Sequence, residues 1–449
     1  MLAPLVFLAA AAFADPVQDS AVRLAAEVRA SSQAYANLLE LTALGPRLGG
    51  SAAAETAVDW AARKLGSYGF DKVWTQAVSV PKWERGTVER ATALTGARGT
   101  PLTVTALGKS VGTPEGGVTA PVVEVRGLDD VARLGDAVRG KIVFYNRPMD
   151  AALPDAFEAY SQAADQRFAG ASTAAAHGAV AVLVRSMTTL TDDPQPHTGG
   201  VSYREGAPKI PAAALSTRDA NRLSALLRAD PGLRVTLELS ARDLGPVWSR
   251  NVIAEMKGRE LPDEFVVVGG HLDSWDLGPG AHDDAAGVVH AIEALRALKA
   301  LGIRPKRTVR LVLFMSEEQG GIGGKEYARQ AQERGERHVA ALESDRGGFA
   351  PLGFSASTPT LAAVESWKPY LEAAGAGKLF AGGTGTDTSW LEAQGVPSFE
   401  LIMESRHYFD YHHAARDRPE AVKPDELRAG AAAVAVWTYL AAELGTSPR

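Results

Sequence analysis

Beyond residue 251 the sequence alternates between short apolar runs and stretches with helical spacing, and the apolar runs are followed by carboxylates or imidazoles. The run at 265–268, Phe-Val-Val-Val, is apolar without a break, as expected for a strand covered on both faces. Further strands are expected at 309–315, 339–342 and 398–403. Helices are expected at about 284–301, 325–334 and 361–373, with a last one starting near Pro424, a residue suited to a first helical turn. This alternation implies an α/β fold, a mixed sheet flanked by helices. In such sheets ligands sit beyond the carboxyl ends of the strands.

The residues at those ends carry the chemistry. His271 and Asp273 follow the first strand, Glu317 and Glu318 the second, and Glu343 and Asp345 the third. His412 and His413 come shortly after the fourth, and Asp283-Asp284 opens the helix after the first. Each alone has an ordinary explanation, such as an acidic helix N-terminus or a solvated turn. Gathered at one end of one sheet, the carboxylates would repel, raise one another's pKa values and cost stability unless cations neutralised them. Metal binding is the simplest reading. Imidazole and carboxylate without thiolate suit zinc, with manganese or cobalt as substitutes, and suit calcium or magnesium less well.

The rest of the chain frames that cluster. At 449 residues it is too long for one core, so two domains are expected. Residues 18–44 read as helical, Ser51 caps a helix reaching about Tyr68, and 71–80 reads as a strand. Between 83 and 244 short strand-like pieces such as 121–125 and 141–145 are punctuated by Gly, Pro and Asp, with one helix at about 162–177. We read 83–244 as a separate, mostly-β domain inserted into a main domain formed by 15–82 and 245–449. Its two histidines, His177 and His197, form no cluster of ligands.

Residues 1–14 combine an apolar stretch too short to span a bilayer with Ala12-Phe13-Ala14, a small-x-small cleavage site. They read as a signal peptide, so export to the periplasm or outside the cell is expected. The balance of 47 Lys+Arg against 53 Asp+Glu leaves no footprint for nucleic acid, and no segment reads as a membrane span. With no cysteine, thiolate chemistry is excluded. No G-x-S-x-G or H-E-x-x-H occurs, and 320–325 fails as a phosphate loop because Glu326 stands where Ser or Thr is needed.

The runs 271–276 (HLDSWD), 280–284 (GAHDD), 316–321 (SEEQGG), 343–345 (ESD), 385–387 (GTD) and 412–413 (HH) resemble the zinc exopeptidase family of the secreted bacterial leucyl aminopeptidases, and within it a carboxypeptidase branch. Runs at 140–143 and 208–211 extend the resemblance through the insert, which would then be a protease-associated domain. The resemblance implies a co-catalytic exopeptidase with two zinc ions acting on dipeptides or short peptides, and suggests a homodimer. His271 and Asp345 would hold one ion, Glu318 and His413 the other, with Asp283 as the bridge. The resemblance prefers Asp283 to Asp284, four residues before Gly287, and His413 to His412, four before Asp417. Asp273 would orient His271, and Glu317 would be the general base. Asp387 and Tyr408 would border the substrate, and Arg346 could bind a substrate carboxylate or pair with an acid. His282 is expected to stand behind the ligands as no sixth one. Asp276 and Asp387 as acids for an ammonium, or Arg346 and Arg406 as cations for a carboxylate, leave aminopeptidase, carboxypeptidase and dipeptidase open. A binding protein on a peptidase scaffold is the more distant alternative.

Overall fold

The computed structural model describes residues 15–96 and 98–446, so the leader read from 1–14 lies outside the described residues. Helices α1 (Pro16–Ser31) and α2 (Ala34–Thr42) stand where the helical spacing predicts them, burying Ala21, Leu24, Val28, Leu38 and Leu41. Ser51 caps α3 (Ala52–Ser67) by accepting a hydrogen bond from the Ala54 amide at 3.1 Å.

Strand β1 (Lys72–Glu84) is an edge of the first of two eight-stranded sheets. The chain then builds the second sheet from β2 (Glu89–Thr95), β3 (Arg98–Leu102), β4 (Val104–Ala106), β5 (Val118–Val125), β6 (Ile142–Tyr145), β7 (Ala181–Arg185), β8 (Ala212–Leu215) and β9 (Arg234–Leu239). β10 (Arg242–Met256) returns antiparallel to β1. Strands β5 to β8 are parallel, and parallel neighbours need crossover connections. The segment therefore carries more helix than its punctuated sequence suggests: α4 (Leu128–Leu134), α5 (Ala156–Ser161), α6 (Asp165–Phe168), α7 (Gly170–Ala176) and α8 (Thr217–Ala229). The single helix expected at 162–177 is broken. Gly170 lies flat on the Tyr145 ring, where a Cβ would come within 2.8 Å, and Tyr145 Oη donates to the Gly170 carbonyl at 2.9 Å.

From β10 the first sheet continues through β11 (Leu261–His271), α9 (Ala286–Ala300), β12 (Arg307–Phe314), α10 (Ile322–Glu333), β13 (Arg337–Glu343) and β14 (Pro351–Ala356). Next come α11 (Thr358–Val364) and α12 (Lys368–Glu372), two pieces where one helix is expected. Pro369 lacks the amide that would bond the Glu365 carbonyl in one continuous helix, and the chain passes from α11 to α12 through a tighter turn at Glu365–Trp367. Strand β15 (Lys378–Ala381), α13 (Ser389–Glu392), β16 (Ser398–Met403), α14 (Tyr408–Tyr411) and α15 (Pro424–Leu444) complete the chain. The order is β1-β10-β12-β11-β13-β16-β14-β15, with β12, β11, β13 and β16 parallel and antiparallel neighbours on either side. The sheet is mixed, as expected. Helices α9 and α15 are buried along most of their length. Among the described residues no helix is long and apolar enough to cross a membrane.

Candidate metal centre

The carboxyl ends of β11, β12 and β13 converge. His271, the last residue of β11, is fully buried, with Nε2 3.2 Å from Asp283 Oδ1 and 3.4 Å from Asp345 Oδ1. The other oxygen of Asp283 lies 3.3 Å from His413 Nε2, and that nitrogen is 3.1 Å from Glu318 Oε2. Asp283 thus offers one oxygen to each of two pairs. His412 Nε2 is also 3.9 Å from Asp283 Oδ2, and the two neighbouring imidazoles stack with centroids 3.5 Å apart. Donor atoms of His271, Asp283 and Asp345 lie within 4.8 Å of one another, as do those of Asp283, His412 and His413. His413 has the shorter contact with Asp283 and alone of the two pairs with Glu318.

Burial pushes the carboxyls of Glu318, Asp345 and Asp284 well above the usual range, with neighbouring carboxylates adding to the shift. Burial also works against ionising Asp283, yet hydrogen bonds with His271 and His413 hold it well below that range. Glu318 Oε1 is buried without any hydrogen-bond partner, and Asp345 Oδ1 has only the 3.4 Å approach of His271 Nε2. Converging imidazoles, an orphaned carboxylate oxygen and mutual repulsion are what divalent cations would relieve, so the donor set fits metal.

Local backbone contacts explain which acids face the centre. Asp284 turns inward, where Oδ2 accepts from the His271 amide at 3.0 Å and Oδ1 from the Gly287 amide at 2.9 Å. Asp283 is left free to point at the histidines, its amide donating to Asp417 Oδ2 at 3.0 Å. Asp273 Oδ1 accepts from the amides of Ser316 and Glu317 at 2.7 and 3.1 Å, tying the β12 end to the β11 end. His271 Nδ1 lies 3.0 Å from the Asp273 carbonyl and 3.6 Å from its carboxylate, so the ring is oriented through that residue's backbone. Glu317 faces the open cavity, and burial raises its carboxyl. His282 is buried, its pKa pushed down to about 4, its Nδ1 accepting from the Gly348 amide at 3.1 Å. Its ring stacks on Phe349 with centroids 4.2 Å apart, which removes it from the donor set.

A model of peptidase family M28 matches residues 251–438. Carboxypeptidase Q of Bos taurus is 36% identical over 431 residues, covering 95% of this chain and 89% of that protein. Carboxypeptidase Q of Homo sapiens is 36% identical over 432 residues, with the same two coverages. The chain belongs to peptidase family M28. The crystal structure of an M28 peptidase precursor from Shewanella amazonensis superposes with a TM-score of 0.90 at 37% identity, covering 96% of this chain and 98% of that one. An aminopeptidase from Aneurinibacillus shares the fold, with a TM-score of 0.65 at 22% identity over 95% and 98% of the two chains. As an M28 peptidase the chain is a metallo-exopeptidase acting on peptides, and the carboxypeptidase resemblance read from its motifs stands.

Beside the centre the M28 chain encloses a cavity of about 420 Å³, with Glu317, Glu318, Asp345 and Tyr408 in its wall. Tyr408 packs on Phe157 with ring centroids 4.8 Å apart. Arg346 lines the cavity too, but its Nη2 lies 2.7 Å from Glu400 Oε2 and its guanidinium 4.1 Å from the Phe157 ring centroid. Of the two roles open to it, the structure has it paired with an acid. Asp387 stands behind the wall, accepting from the Gly324 amide at 2.9 Å. Asp276 is tied to Arg85 at 2.9 Å, and Arg406 is exposed away from the wall. Sequence reasoning missed Phe157, Tyr160 and Arg167, which reach the cavity from between the strands of the second sheet. It also missed His197, whose Nδ1 donates to the His412 carbonyl at 2.7 Å, while the Thr198 amide donates to the His413 carbonyl at 3.0 Å. No periodicity or motif marks these residues.

Proposed function

We propose that the chain is an exported exopeptidase with two zinc ions that hydrolyses dipeptides or short peptides in the manner of carboxypeptidase Q. His271 and Asp345 would hold one ion and Glu318 and His413 the other, with Asp283 offering one oxygen to each pair. The observation that carries this reading is the split of Asp283, one oxygen toward His271 and the other toward His413, at 3.2 and 3.3 Å. Bound ions supply Lewis-acid polarisation of the scissile carbonyl and a more acidic water. Glu317, in the cavity wall and not in either ligand pair, accepts the attacking water's proton and returns it to the leaving amine. Its raised pKa suits a group that must both take and give a proton. Asp273 holds the Glu317 amide and the His271 ring in one arrangement. Residues 83–244 act as a protease-associated domain that roofs the cavity and limits the length of the substrate. A homodimer belongs to the same reading; Trp248, 75% exposed on β10, offers apolar surface for such a contact, and sedimentation measures it.

Metal analysis and a dipeptide panel with N-acetylated and C-amidated members test the reading. About two zincs per chain, with hydrolysis lost on blocking either end, is the expected result for a dipeptidase. Loss on N-acetylation alone makes the chain an aminopeptidase, and loss on C-amidation alone a carboxypeptidase. Zinc bound with no peptide cleaved overturns the enzymatic role.

A further inference from the structure

We propose that Arg167 binds the free α-carboxylate of the peptide substrate, which makes the chain an enzyme for dipeptides or C-terminal residues rather than an aminopeptidase. The inference rests on the exopeptidase reading above and names the end of the substrate that the site recognises. Arg167 stands on α6, between strands of the second sheet, yet it lines the cavity of the metal centre. It is 2% exposed, and both Nε and Nη1 are buried without a hydrogen-bond partner. Its Nη2 donates to Tyr160 Oη, and its guanidinium lies 4.4 Å from the Phe168 ring centroid.

A buried guanidinium with unsatisfied donors destabilises a fold unless an anion completes it. Among the described residues no carboxylate pairs with it. Of the cavity's other cations, Arg346 is neutralised by Glu400 at 2.7 Å, with its Nε left without a partner, and Lys109 donates to the Gln319 carbonyl at 3.4 Å. The position fits the assignment. A Cβ on Gly199 would come 2.5 Å from Arg167 Nη1 and 2.8 Å from His413 Nδ1, so the guanidinium lies beside the His413 ring, on the edge opposite the Nε2 that faces Asp283 and Glu318. A peptide whose scissile carbonyl sits at the metal centre carries its next carboxyl carbon about one residue further, some 3.8 Å along the chain. Tyr160, which accepts from Arg167, keeps its own O–H to donate to the same anion.

The test compares an alanine dipeptide with its C-terminal amide, in the wild type and in Arg167→Ala and Arg167→Lys. Wild type is expected to prefer the free acid, and Arg167→Ala to lower the acid-to-amide ratio of kcat/KM on the order of a hundredfold. Arg167→Lys, which keeps charge without the fork, is expected to fall between them. A general structural defect would lower both rates and leave the ratio alone. Wild type cleaving acid and amide equally overturns the assignment without any variant, as does a ratio that Arg167→Ala leaves unchanged. Wild type cleaving neither brings down the exopeptidase reading itself, and the carboxylate assignment with it.

Discussion

Glu317 and Glu318 are adjacent in sequence but sit in different surroundings. Glu318 Oε2 lies 3.1 Å from His413, whereas Glu317 belongs to neither ligand pair and lines the cavity with its carboxyl raised by burial. Glu317→Gln is therefore expected to lower kcat by about 10²–10⁴, the range for removing a general base, while zinc content stays at the wild-type level. Steady-state kinetics beside metal analysis check it, and full activity in the variant removes Glu317 from the mechanism. The choice within Asp283-Asp284 is also made at this scale. The resemblance prefers Asp283, and the backbone amides of His271 and Gly287 supply a physical reason by holding both oxygens of Asp284. That arrangement needs Gly287, since a Cβ there would meet Ser344 O at 1.7 Å and both Asp284 oxygens at 2.5 Å. Gly287→Ala is expected to destabilise the fold by about 1–3 kcal/mol, the usual cost of overpacking, and to weaken metal binding. Urea unfolding of the metal-free variant and a zinc titration measure the two effects.

The elements around the centre differ in how plainly the sequence shows them. Strands β11, β12 and β13 lie in the middle of the sheet, so their buried apolar runs are legible, and the acids at their ends follow from the topology. Strands β14 and β15 are not legible. β14 carries Pro351 and Gly353, and β15 is a four-residue edge strand with exposed Lys378 and Ala381. The segment after α14 is legible only in part. The histidine pair stands out, but His413 adopts a φ of 59°, a left-handed conformation that an L residue keeps only when its surroundings hold it. The hold comes from the second sheet's side, through Thr198 and His197. His197 is buried, with Nε2 3.2 Å from Asp193 Oδ2, and Arg416 pairs with the same aspartate. His197→Ala is expected to weaken zinc affinity by about 10–100-fold, the usual effect of losing a residue that orients a ligand. Competition with a zinc indicator reads it, and unchanged affinity would free the histidine loop from that support.

At the scale of the whole molecule, the sequence between β1 and β10 carries no sign that it forms a wall of the site. Its sheet is separate from the first, yet Phe157, Tyr160 and Arg167 close the cavity that β11, β12 and β13 open. Contacts made across two sheets leave no periodic trace in either. The same enclosure buries an excess of acid, and that sets how stability depends on pH and metal. In the metal-free protein burial raises Glu343 and Asp417 to about 7 and also raises Asp284, Glu318 and Asp345 well above the usual carboxyl range. Raised carboxyl values mean that the folded state holds more protons than the unfolded state, so stability falls as pH rises. The contribution is full below the ordinary carboxyl range, about 4, and for Glu343 and Asp417 it is gone once pH passes about 7. Carboxylates held low by hydrogen bonds and cations despite their burial, such as Asp193 and Glu336, act with the opposite sign and only at more acid pH. Zinc takes the place of the protons, so its stabilisation grows across the same window. The melting temperature lost on chelation is therefore expected to be small near pH 5 and to reach on the order of 5 °C or more near pH 7.5. Differential scanning calorimetry with and without a chelator, at matched ionic strength, measures both. A chelation loss that stayed constant or shrank with rising pH would mean that these carboxyls are not what the metal neutralises.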